Sequence, residues 1–99
     1  MALKTTPFDA AEYLDSPAAC AAYLESAMDD GDAATIADAL GVVARARGMT
    51  QIARETGLSR ESLYRALRAD GNPEFATLLR VVRALGLRFS VSVAEPAET

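Results

Sequence analysis

Gln51-Ile-Ala-Arg-Glu-Thr-Gly-Leu-Ser-Arg-Glu-Ser-Leu-Tyr-Arg-Ala-Leu67 spells a helix, a three-residue turn and a second helix. Small Ala53 lets the two helices cross closely, and Gly57 supplies the positive φ that the turn needs. Ile52, Leu58, Leu63 and Leu67 fill the shared apolar side, which is the pattern of a helix-turn-helix. Ser59 stands where the second helix begins, so its hydroxyl is placed to cap a free backbone N–H. The residues that follow, Arg60, Glu61, Ser62, Tyr64, Arg65 and Arg68, supply the polar surface of the second helix.

Outward from this stretch the helical pattern continues in both directions. Upstream, Asp9-Ala-Ala-Glu-Tyr-Leu14 reads as a brief helix capped by Asp9. Ser16-Pro17 then opens a longer one through Tyr23, Leu24 and Met28 to Gly31, with a capping side chain followed by proline at the first helical position. Asp32 caps the next, in which Ile36, Leu40 and Val43 share a face with Ala37 and Ala44 before Gly48 ends it. Downstream, Asn72-Pro73-Glu74 reads as a capped start for a helix with Phe75, Leu78, Leu79, Val82 and Leu85 on one face, Arg80 and Arg83 opposite, and Gly86 at its end. Beyond Gly86, Leu87, Phe89, Val91 and Val93 alternate with Arg88, Ser90 and Ser92, which is strand period. No other segment reads as a strand, so the expected mate is the same strand of a second copy or an edge strand of another protein.

The expected architecture is therefore all-α, five helices with a short C-terminal β-strand, in one domain over residues 1–99. Within it, 1–32 is an acidic helical segment, 33–86 the helix-turn-helix core, and 87–99 the strand and a polar tail. Alanine fills 21 positions, which favours helix and leaves the core to a few Leu, Ile, Val, Phe and Tyr side chains. With no His and a lone Cys20 in an Ala-rich run, no thiolate–imidazole pair and no Cys/His metal cluster can be assembled. No carboxylate pair has a convincing catalytic spacing either, so the expectation is a protein that is not an enzyme and needs no cofactor or metal. Asp9, Glu12 and Asp15 interrupt the apolar stretch a signal peptide would need, and no segment approaches membrane-spanning length; a cytoplasmic protein with no membrane partner is expected.

The net charge of −4 conceals two ends of opposite sign. Residues 1–32 set one Lys against seven carboxylates, whereas residues 45–88 set nine Arg against four. The basic half is arginine alone, which suits planar, bidentate recognition of phosphate or guanine. The acidic half suits a basic partner.

Several segments together, Pro7-Phe-Asp-Ala-Ala-Glu-Tyr-Leu14, Asp30-Gly-Asp, Ile36-Ala-Asp-Ala-Leu-Gly41, Ala44-Arg-Ala-Arg-Gly-Met49, Gly57-Leu-Ser-Arg-Glu-Ser-Leu-Tyr64, Gly71-Asn-Pro73 and Ala84-Leu-Gly86, closely resemble the addiction-module antidote proteins, HigA-like antitoxins with an Xre-type helix-turn-helix. The resemblance covers roughly residues 5 to 90. It implies a lambda-repressor-like fold and a bacterial type II antitoxin that binds and neutralises a small HigB/RelE-like toxin and represses their shared promoter, binding operator DNA as a homodimer. One departure stands out. Phage-repressor-type domains commonly begin the first helix of the motif with Thr-Gln-x-x-Leu-Ala, the Gln touching a phosphate. Here Thr50-Gln51 abuts Ile52-Ala53 with no spacer, which shifts Gln51 by half a turn and puts Met49 in the position of that Gln.

The candidate DNA-binding residues are thus Gln51, Ser59, Arg60, Glu61, Ser62, Tyr64, Arg65 and Arg68; Arg60, Glu61 and Arg65, counted from Gly57, match the positions such domains present to base edges. Each has a plainer reading beside it. Glu61 can accept from a cytosine amino group or pair with Arg65 one turn on, and Tyr64 suits a sugar contact or packing on the domain. Arg45 and Arg47 read as cations favouring a helix C-terminus. The rival function is a protein-interaction module that neutralises a toxin without touching DNA.

Overall fold

A computed structural model describes residues 13–95 as five helices: α1 (Pro17–Asp30), α2 (Ala33–Arg47), α3 (Met49–Thr56), α4 (Arg60–Ala66) and α5 (Phe75–Ala84). Three of them start on the caps expected. Ser16 Oγ accepts from the Ala19 N–H at 3.1 Å with Pro17 following it. Asp32 Oδ2 accepts from the N–H of Thr35 at 3.3 Å and from its hydroxyl at 2.9 Å. Ser59 Oγ accepts from the Ser62 N–H at 2.9 Å. Each such cap satisfies an orphan donor and contributes about 1 kcal/mol.

Packing follows the chain. α1 lies along α2, α2 meets α3, and α3 packs on both α4 and α5. Cys20 and Leu24, one turn apart, bury the inner face of α1 together with Leu14. Leu40, Val43 and Ala44 of α2, Met49, Ile52 and Ala53 of α3, Leu63 and Leu67 around α4, and Val81, Val82 and Leu85 around α5 complete one continuous cluster. Burying each of the large aliphatic side chains contributes roughly 1.5–3 kcal/mol.

Between α3 and α4 the chain turns through Gly57 at φ 79, a left-handed conformation that a side chain at this position would strain. Thr56, buried between them, fastens this turn. Its hydroxyl donates to the Ile52 carbonyl at 2.8 Å, and its oxygen accepts from the Leu58 N–H at 3.3 Å.

Four expectations are corrected. Among the described residues no strand forms: the segment 87–95 is without secondary structure. Its alternation is satisfied differently. The Leu87 N–H bonds the Val82 carbonyl at 3.0 Å, and Phe89 stacks on Phe75 with ring centroids 6.1 Å apart, so the chain turns back along α5. Leu87 and Phe89 thereby pack against the core, while Val91 and Val93 stand in the open and have no ladder to join. α5, second, starts not on Asn72 but after Glu74, which makes no side-chain cap, because Asn72 adopts φ 50. Third, of the face expected for α5, Val82 and Leu85 are buried and Leu78 packs on the core, but Phe75 is 66% exposed and Val81 is buried in addition. Fourth, the sequence reads as helix until it gives out around Ala69-Asp70-Gly71, whereas α4 closes at Leu67. The brief helix expected from Asp9 falls almost entirely outside the described residues.

Candidate nucleic-acid interface

α4 is held by two points, its capped start and its buried Leu63, with Leu67 anchoring the residue after its last turn. That leaves the remaining side chains outward. Arg60, Glu61, Tyr64, Arg65 and Arg68 are all exposed, and Ser62 is half-buried. Ser59 donates its own hydroxyl proton to Ser62 Oγ at 2.9 Å, so the two serines form a closed pair at the helix start.

Local electrostatics organise the arginines along this face. The Arg60 guanidinium lies 5.9 Å from the centre of the Tyr64 ring, within cation–π reach, and this orients both groups. Arg65 pairs with Glu61 at 3.8 Å, and Arg68 Nε with Asp70 Oδ1 at 3.1 Å. All four of these charged side chains are more than half exposed, so the pairs set side-chain direction and add little stability, about 0–1 kcal/mol each.

Gln51 has a local partner on its own helix. It lies on α3, exposed, with its amide Nε2 donating to Glu55 Oε2 at 3.2 Å. Met49, in the place where phage-repressor-type domains carry a phosphate-touching Gln, is buried at the start of α3 and belongs to the core. One functional candidate escaped the reading of the sequence. Arg45, in the last turn of α2, lines a shallow cleft of ≈ 400 Å³ together with Glu61, Tyr64, Arg65 and Arg68. The signal lay at Gly41, one turn earlier: a glycine in the middle of a helix marks a close backbone approach. A Cβ there would collide with the Leu67 carbonyl oxygen, so α2 passes directly over the end of α4.

The rest of the chemistry is sparse. Cys20 is fully buried, and burial pushes its thiol above the ordinary value; the nearby Arg47 lowers it and Asp15 raises it further. No group of three or more His, Cys, Asp or Glu among the described residues could hold a metal ion. No helix among them is long and apolar enough to cross a membrane.

Comparison with known proteins gives the family. A protein described only as uncharacterized, from Haemophilus influenzae, is 49% identical over 84 residues, which cover 85% of this chain and 87% of that protein. No solved structure gives a significant match. The model of a family described as "Probable addiction module antidote protein" matches residues 4–93. That match runs from the acidic N-terminal part through all five helices and the arginines of α4, and the chain therefore belongs to the addiction-module antidote family.

Proposed function

We propose that the chain is the antitoxin of a type II toxin–antitoxin module, working in the cytoplasm as a homodimer. It neutralises a HigB/RelE-like toxin and represses its own operon through an Xre-type, lambda-repressor-like helix-turn-helix. Membership of an antidote family implies a toxin partner in general terms. The DNA-binding half of the reading rests on one observation: a capped α4, fixed to the core by Leu63, presents Arg60, Glu61, Tyr64, Arg65 and Arg68 together on an open face. In this reading α4 enters the major groove, Arg65 and Arg60 reach base edges, and the Ser59 hydroxyl, which still caps the Ser62 N–H, turns its proton from Ser62 Oγ to a phosphate at the helix start. Dimerisation spaces two such helices by about one DNA turn. The acidic N-terminal third, with one Lys against seven carboxylates, suits the basic surface expected of an RNA-cleaving toxin. No catalytic role and no cofactor enter the proposal.

The test is a fluorescence-anisotropy titration of the intact chain on the DNA upstream of its own gene, repeated over a range of salt. Specific binding whose affinity falls steeply with added salt is the expected result. Failure to bind even at low salt would remove the DNA half and leave the rival module, which neutralises a toxin by protein contact alone. The net charge of −4 favours that rival, since neutralising phosphates needs positive charge. Growth arrest by the neighbouring gene product, relieved by this chain, tests the antitoxin half.

A further inference from the structure

We propose that the cleft between the end of α2 and the end of α4 seats a backbone phosphate of bound DNA, with Arg45 as its principal cation; the inference rests on the DNA-binding reading of α4. Gly41 lets α2 cross against the Leu67 carbonyl, and Arg45 lies one helical turn further along the same face. The crossing therefore delivers a guanidinium from α2 into a cleft whose other walls are Glu61, Tyr64, Arg65 and Arg68 of the α4 region.

Three arginines converge there, and they are not equivalent. Arg65 has Glu61 at 3.8 Å and Arg68 has Asp70 at 3.1 Å. Arg45 forms no ion pair among the described residues and is exposed. The helix C-terminus alone does not account for it. Arg47 occupies the same last turn and serves that charge, and its field falls on Cys20 of α1, whereas Arg45 is turned to α4. A cleft with three guanidiniums and one carboxylate is short of negative charge, and a phosphate supplies it through two free oxygens that the planar guanidinium fork can grip together. Such a contact fixes how the domain sits on the duplex and reads no sequence.

The experiment titrates the full chain and its Arg45→Ala, Arg45→Gln and Arg45→Lys variants on two labelled duplexes of equal length, the upstream DNA and a scrambled version, across a salt series. Arg45→Ala and Arg45→Gln are expected to weaken both duplexes by a similar factor, about tenfold at low salt, and to lower the salt slope by about 1. Arg45→Lys should recover most of the loss. Urea unfolding of each variant checks the fold, and Arg45→Gln decides the matter if Arg45→Ala is destabilised. Wild-type affinity and slope in Arg45→Gln would overturn the phosphate site alone, while a wild-type chain that binds neither duplex would overturn it together with the reading beneath it. A loss confined to the upstream duplex would assign Arg45 to base reading, and lost capture of the purified toxin with DNA binding intact would assign it to protein contact; either result overturns the proposal.

Discussion

At the residue scale two positions separate stability from recognition. Gly41 sits inside α2, where alanine would ordinarily favour the helix by about 1 kcal/mol. The Leu67 carbonyl occupies the space a Cβ would take, and backbone cannot swing aside as a side chain can. Gly41→Ala is therefore expected to lose about 1–3 kcal/mol in urea unfolding, the size of an overpacking penalty. Equal or greater stability would mean that the two helices do not approach as described. Arg65 is the opposite case. Its pairing with Glu61 is exposed, so Arg65→Ala should leave unfolding within about 0.5 kcal/mol of wild type. Operator binding should weaken by ~1–3 kcal/mol with toxin binding intact, and an unchanged gel-shift titration would take Arg65 out of the interface.

At the scale of elements, α4 has seven residues, far too few to be stable alone. Its cap matters correspondingly. Ser59→Ala removes the acceptor for the Ser62 N–H and is expected to cost about 0.5–2 kcal/mol, with amide exchange quickening across Arg60–Ala66. Protection in α4 as strong as in wild type would show that Leu63 and Leu67 hold the helix without it. Caps at Ser16, Asp32 and Ser59 were legible in the sequence because a cap involves residues three apart. The start of α5 was not, since Asn72-Pro73 looks like a cap until the left-handed backbone at Asn72 moves the start to Glu74. The face of α5 was only partly legible. Val81 and Val82 are adjacent, and which one turns inward depends on where α3 crosses; here both are buried.

For the whole molecule, the segment after α5 belongs to the core only as far as Phe89. Stopping the chain after Ser90 should leave its urea stability within about 0.5 kcal/mol, because Val91 and Val93 are 97% and 93% exposed. Stopping it after Gly86 removes Leu87 and Phe89 from the cluster and should cost roughly 2 kcal/mol or more. Comparable losses from both truncations would place Val91 and Val93 in a contact that the monomer does not form.

By itself the sequence determined the helical class, three of the caps, the glycine turn between α3 and α4, and the outward set Arg60, Glu61, Tyr64, Arg65 and Arg68. All of these follow from short-range rules: a hydrogen bond across three residues, a positive φ, a period of 3.6. Tertiary structure alone decided that Arg45 joins that set in one cleft, and that Leu87 and Phe89 of the alternating segment pack on the core instead of joining a strand. Alternation fixes which side chains face the same way, but a strand also needs a neighbour for its backbone, and a shared cleft needs two helices to cross. Both depend on residues distant in the chain, here the meeting of Gly41 with Leu67 and of Phe75 with Phe89.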